Sequence, residues 1–496
     1  MDRLTAAAVR GGYLRSGADG LIWLPLGSMV RRKLRDRLWK IAPDDGVVEA
    51  TGGSLRMLPA SLAKEIHSFR DLPVRVRIQG ELPGGPFRSL LRDSAEPDQG
   101  WLVAAADETS AQDALAAILD GLRELWARLG LDPMVVTAGE KATQWVHRVE
   151  GGPVQVLRCP SCGTAALRST AGFHRGEDKG PASDLEIVET PGAMTIAALS
   201  QLLGIAPADT MKALVLADPG GDLLMILLRG DLELSEAKLE GLRLGVVRQA
   251  RDAELRAAGL VPGYAGPVGL EEKRPTDGKG IRVLADASVV SGAGFVAGAN
   301  RDGYHYRHVS FPRDFDVDKV VDLALPPDGA ECSTCLVPLT PFAGIPLGWE
   351  ERDVEPFDYG VEAGRRPGSM LSLRVSVAAL LASMLDVSLH GDGLSWPAIC
   401  SPFDVHALDL AGPGSLEPTV RGLGQAGLDV LVDDREASPG FKFSDAEWIG
   451  APVWLISGRK SAELGGLEVR FARGQGRILP PAEAEAAIVA YFAEVM

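Results

Sequence analysis

Four of the five cysteines stand in two Cys-x-x-Cys pairs, Cys159/Cys162 and Cys332/Cys335, with 169 residues between the pairs. Two such pairs are the usual ligand set of a tetrahedral zinc site, with thiolates about 2.3 Å from the metal. A compact zinc ribbon uses far fewer intervening residues. A shared site therefore requires that the chain between the pairs leave and return at one place, as an inserted domain does. The other reading is two reduced turn motifs without metal. Cys400, beside Pro402 after one residue, reads as a small buried hydrophobe.

A chain of 496 residues is expected to hold about three domains, because single cores rarely grow beyond about 250–300 residues. No apolar run approaches the roughly 20 residues a membrane span needs. The opening M-D-R-L-T-A-A-A-V-R-G-G lacks the apolar core of a secretory signal. A cytoplasmic location is therefore expected, with no membrane partner, and in that compartment a disulfide framework is not. The net charge of −16 argues against broad affinity for nucleic acid, DNA included, which needs lysine and arginine to displace counterions. R-R-K-L-R-D-R (31–37) is the densest basic cluster; it also reads as the solvated face of an amphipathic helix.

Periodicity organises the chain further. Met29, Val30, Leu34, Leu38 and Ile41 recur at helical spacing, and Leu115, Ile118, Leu119, Leu122, Leu125 and Trp126 do the same within 111–130. The stretch G-E-D-K-G-P-A-S-D (176–184) reads as a linker. Beyond it, short apolar runs alternate with helical patterns, predicting a mixed α/β domain. L-R-V-S-V-A-A-L-L-A-S-M-L (373–385) reads as an apolar helix. From Ser401 strand–helix alternation predicts a C-terminal α/β domain with parallel strands.

Inside the bracketed stretch stand T-P-G-A-M-T-I (190–196), M-K-A-L-V-L (211–216), L-L-R-G-D-L-E-L (227–234), G-Y-A-G-P (263–267) and G-A-N-R-D-G-Y-H-Y (298–306). In that order they resemble the YbaK-like editing domain that bacterial-type prolyl-tRNA synthetases carry within their catalytic domain. G-Y-L-R-S-G-A-D-G-L-I-W-L-P-L-G (12–27) is similar to the first signature of class II synthetases in that subgroup. L-S-W-P-A-I-C-S-P-F (394–403) and the D-D-R-E-A-S-P-G-F-K-F run (433–443) resemble the junction and the anticodon-binding domain.

The resemblance implies a multidomain α/β protein. It has a class II antiparallel sheet core in two parts (1–184 and 329–400), an inserted editing domain (185–328) and an anticodon-binding-type domain (401–496). It implies tRNA as partner, tRNA for proline first, and a homodimer built on the first signature.

Two other signatures depart from the family's pattern. Amino-acid activation needs positive groups on the ATP phosphates, where a fixed donor contributes about 3–4 kcal/mol. At the third signature the chain reads G-S-M-L-S-L-R-V-S (368–376), with Leu371 and Leu373 where the family has glycines and Ser376 where it has an arginine. At the second, P-F-R-S-L-L-R-D (86–93) keeps Arg88 as a candidate substrate contact but has Leu90 for the acid. G-G-S-L-R-M-L-P-A-S-L-A-K-E (52–65) replaces the longer stretch that holds proline. Arg92, Arg365, Arg366 and Arg374 are nearby substitutes.

The editing block keeps its parts. By resemblance, Gly263, Gly266 and Pro267 form the loop whose backbone amides grip the substrate and orient a water. Glycines allow such amides to converge. Lys212 matches a lysine suited to the terminal adenosine, and His305 a pocket histidine that shapes selectivity. Asp286 and Asn300 are further candidate substrate contacts; Asp286 also reads as a turn residue. Hydrolysis of mischarged tRNA is thus the expected activity, with a degenerate activation site. The alternatives are an active divergent proline–tRNA ligase, which would use ATP and Mg, and a tRNA- or partner-binding protein without catalysis. A structural zinc is the one resident metal expected.

Overall fold

The computed structural model describes residues 3–17, 20–41, 47–54, 58–81, 98–176, 183–245, 247–270, 281–360, 364–391, 393–412, 414–471 and 474–496. The chain divides into two compact units. One comprises Met1–Val135, Lys141–Val154 and Ala343–Met496; the other comprises Val136–Glu140 and Gln155–Phe342. Both cysteine pairs lie inside the second unit, as do the expected domain limits at 185 and 328.

In the first unit, strands Val47–Ser54, Val74–Glu81, Asp98–Ala105, Arg366–Val375, Thr340–Arg352 and Ala142–Arg148 are neighbours in one sheet. All of these pairs are antiparallel except the first, which is parallel. Trp101, Val103, Leu371, Leu373 and Val375 occupy one face, buried with Val30, Leu34 and Leu38 of helix Pro25–Trp39. Leu115, Ile118, Leu122 and Trp126 of helix Glu108–Arg128 join the same core. Spacing of three and four residues puts each apolar set on one side of its helix. Val76, Ile78, Leu102, Ala104 and Met370 line the opposite face and pack with Ile66, Phe357 and Tyr359.

The expected helix over 373–385 starts later. Residues Arg366–Val375 form a strand, and the helix is Val377–Ser388. Alternation of Leu371, Leu373 and Val375 satisfies the period of a strand, and Ser376 ends it by accepting a hydrogen bond from the Ala379 amide at 3.3 Å. A serine in that position is a helix N-cap.

The C-terminal part of this unit has parallel strands Val430–Asp433, Val405–Asp409 and Val453–Ser457, continued antiparallel by Leu467–Phe471 and Arg477–Leu479. The buried Lys442 explains its place in the D-D-R run. Its ammonium donates to the carbonyls of Asp409 at 2.7 Å and Asp433 at 2.9 Å, joining two strand ends. Arg435 pairs with the Asp433 carboxylate beside it.

In the second unit a five-stranded sheet runs in the order Arg248–Gln249, Met211–Ala217, Leu223–Arg229, Ile281–Asp286, Lys319–Val321. Residues 223–228 of its central strand are all buried, because cores cover both faces. A strand apolar at every position is what two-sided burial produces. Glu186–Glu189, Tyr304–Val309 and Phe295–Gly298 form a smaller antiparallel sheet. This mixed α/β organisation matches the expectation for the inserted block.

Candidate functional site

The G-Y-A-G-P loop leans on the end of strand Phe295–Gly298. A Cβ on Gly266 would stand 1.9 Å from the Gly298 carbonyl oxygen, and one on Gly298 would stand 2.3 Å from the carbonyl oxygens of Tyr264 and Ala265. Two backbones meet here with no room for side chains. Gly263 has a φ of +80°, and a Cβ there would meet Met194 at 2.6 Å. Both glycines of the motif are therefore dictated by geometry.

His305 is buried on strand Tyr304–Val309. Its Nδ1 lies 2.6 Å from the Thr190 hydroxyl, and its ring is tilted against that of Tyr264 with centroids 5.4 Å apart. Burial pushes the imidazole down to about 4, so it is neutral at pH 7. The loop, the T-P-G segment and the G-A-N-R-D-G-Y-H-Y segment thus converge on one place. Thr190 and Tyr264 belong to it and were not singled out from sequence, although both stand inside the quoted motifs.

The other candidates are arranged differently. Lys212 alternates with Met211 and Ala213, whose side chains join the core on the loop's side. It falls on the face of Leu214 and Leu216 and pairs with Glu233 at 3.0 Å. Asp286 is fully buried and engaged. It accepts from Arg175 Nε at 3.1 Å and Nη2 at 3.2 Å, and from the amides of Ser288, Leu323 and Ala324 at 2.8, 2.7 and 2.9 Å. That makes it the N-cap of helix Ala287–Val290 and an anchor for the strand exit, with its carboxylate turned to protein donors. Asn300 has a φ of +50° and bonds to the loop itself at Gly266 and Val268. Arg88 and the segment 86–93 lie outside the described residues, as do 177–182 of the expected linker.

Leu371 and Leu373 point into the helical core. Ser372 and Arg374 share the other face, where Arg374 is 1% exposed and its guanidinium carbon lies 5.7 Å from the Trp349 ring centre. The two leucines therefore lie on the opposite face from Ser372 and Arg374. At the third signature's last position, the Ser376 hydroxyl caps helix Val377–Ser388.

The four paired cysteines come together: one sulfur from each of Cys159, Cys162, Cys332 and Cys335 lies within 4.8 Å of the rest. The pairs make matching turns. The Gly163 amide donates to the Cys159 carbonyl at 3.0 Å with Gly163 at φ +77°, and the Leu336 amide donates to the Cys332 carbonyl at 3.0 Å with Leu336 at φ +56°. Hydrogen bonding to Thr164 lowers the Cys162 thiol to about 6. Four thiols with edges near about 3.8 Å would fit tetrahedral zinc. We expect one zinc per chain by elemental analysis and a lower melting temperature after chelation. A metal-free chain whose melting is indifferent to chelator would contradict this.

The buried histidines give a pH signature. His305 and His406 are both depressed by burial to about 4, whereas an exposed histidine titrates near 6.5. The unfolded chain takes up protons that the folded chain refuses between those values, so stability is lost as pH falls through that window. The melting temperature is expected to drop between pH 7 and pH 5, and less steeply in His406→Gln. Equal slopes in parent and variant would show that His406 contributes nothing.

Comparison with known proteins gives matches to both halves of this picture. Residues 190–312 match the family described as aminoacyl-tRNA editing domain, and residues 419–489 match the anticodon binding domain. The chain is 32% identical over 454 residues to a proline–tRNA ligase of Dehalococcoides mccartyi, spanning 85% of this chain and 76% of that one. It is 29% identical over 516 residues to a proline–tRNA ligase of Persephonella marina, spanning 91% and 90%. In fold it is similar to the prolyl-tRNA synthetase of Cryptosporidium parvum, solved with halofuginone and AMPPNP. That likeness has a TM-score of 0.51 at 10% identity, over 99% of this chain and 77% of that one.

Proposed function

The chain belongs to the proline–tRNA ligase family, and from that premise we propose that it acts on tRNA for proline as an enzyme of ligation and editing. Kinship supports the ligase reading best, since alignment with a ligase covers 85% of this chain. Ligation joins the proline carboxylate to the α-phosphate of ATP with loss of pyrophosphate, then passes the prolyl group to the tRNA 3′ end with release of AMP, so ATP and Mg belong to this reading. The domain limits proposed are 185–328 for editing and 401–496 for the anticodon end.

Editing is the activity its geometry supports best, and the convergence of the 263–267 loop with His305 and Thr190 is the observation that carries it. In hydrolysis, a water oxygen attacks the ester carbonyl carbon, the bond to the ribose oxygen breaks, and that oxygen takes a proton. Among residues 263–267, no protein group accepts from the amides of Gly263 and Ala265 in the described structure. These amides are suited to the carbonyl oxygen. The neutral His305 is an apolar-faced wall with one bonded nitrogen, suited to judging a small side chain. The power of such a site is positioning. A small non-cognate residue such as alanine or cysteine is the proposed cargo.

A second reading, editing alone, rests on Ser376 standing in place of an arginine. Proline-dependent exchange of pyrophosphate into ATP separates the two. Under the ligase reading exchange requires proline and is about 100-fold or more below that of a relative with the arginine, since one lost donor is worth 3–4 kcal/mol. Hydrolysis without any exchange selects editing alone. A chain that binds tRNA yet supports neither reaction sinks both readings.

A further inference from the structure

Asn300 makes more bonds to the loop than any residue of the loop makes to itself. Its Oδ1 accepts from the Gly266 amide at 3.0 Å, while its Nδ2 donates to the Gly266 carbonyl at 2.8 Å and the Val268 carbonyl at 3.3 Å. Its own amide donates to the Tyr264 carbonyl at 2.9 Å. One side chain and one peptide thus hold three of the positions 264–268.

The geometry comes from the backbone. Asn300 adopts a left-handed conformation, φ +50°, that asparagine tolerates better than most residues. From this position the carboxamide pairs with Gly266 through both donor and acceptor. A carboxamide offers a donor and an acceptor on one short planar group. Gly266 and Gly298 approach so closely that neither position has room for a Cβ.

We propose that Asn300 is a positioning residue of the editing reaction: it splints Gly266 and Val268, so that the Gly263 and Ala265 amides are the donors presented to the ester. This rests on the editing function proposed above, and it assigns to Asn300 a role other than contact with substrate. The Gly266 amide, engaged by Oδ1, is removed from the set that grips the ligand.

Three variants of the full chain separate the splint from the turn. Asn300→Gly keeps the left-handed backbone and removes the carboxamide. Asn300→Asp keeps the acceptor for Gly266 but loses both donors and sets a charge against two carbonyls. Asn300→Ala loses the side chain and strains the turn. On alanyl-tRNA for proline, Asn300→Gly is expected to lower kcat about 100-fold, the effect of a small misplacement in a positioning site, with KM within about twofold. Asn300→Asp should not restore it. Hydrogen exchange read by mass spectrometry should speed up at 263–268 and stay unchanged at 281–286. A parent-like kcat with parent-like exchange in Asn300→Gly overturns the inference, and so does a rise in KM alone, which would mark substrate contact. If the parent hydrolyses nothing, the editing reading fails, and the exchange comparison still decides whether Asn300 splints the loop.

Discussion

Gly266→Ala is expected to reduce hydrolysis of mischarged tRNA by about 100-fold or more while leaving the fold cooperative. A Cβ at this position would lie 1.9 Å from the Gly298 carbonyl oxygen, far inside contact distance, and the obstacle is backbone. Neither partner can turn aside as a flexible side chain would, so the loop must retreat from strand Phe295–Gly298. A shift of about 1 Å in a site that works by positioning costs about 100-fold. The retreat also breaks the pairing of Gly266 with Asn300. Steady-state hydrolysis of alanyl-tRNA, with circular dichroism as a check on folding, reads the effect. A folded Gly266→Ala chain with parent-like turnover would show that the loop takes no part.

Asp286→Ala is expected to destabilise the protein by about 3–5 kcal/mol, the usual effect of removing one partner of a buried ion pair. Arg175 would lose the carboxylate that receives two of its N–H groups. Asp322, also paired with Arg175, is the more exposed partner. The Leu323 and Ala324 amides would lose their acceptor as well. Burial by itself pushes the Asp286 carboxyl up, but the Arg175 hydrogen bonds and charge, with the backbone amides, more than offset this and hold it below the ordinary value of 3.8. A carboxyl so depressed stabilises the fold above that value, and its contribution is lost as pH falls through the folded pKa. Denaturant unfolding at pH 7 should show the loss, and the gap between parent and variant should narrow in strong acid. Stability equal to the parent at pH 7 would contradict the anchor role.

The motifs made the site legible in sequence because each supplies a backbone requirement: Gly263 and Gly266 are glycines for steric reasons, and His305 follows a turn that returns it to Thr190. Roles carried by long-range partners were not legible. Asp286 meets Arg175 across 111 positions, and nothing local to either residue announces the pair. Lys212 looks like a site residue by motif, yet strand alternation puts it on the far face with Glu233. Leu371 and Leu373 show a further limit of local pattern. Alternation shows that they share a face, but only the assembled sheet shows that it is the helical one.

The inserted domain is predicted to hydrolyse aminoacyl-tRNA at the loop beside His305. The most direct measurement is the release of alanine from alanyl-tRNA for proline by the full chain, beside the Gly266→Ala variant. The prediction is turnover by the parent well above spontaneous hydrolysis, reduced about 100-fold in the variant, with prolyl-tRNA left intact by both. Alanine released no faster than in buffer, or equally by parent and variant, would contradict it.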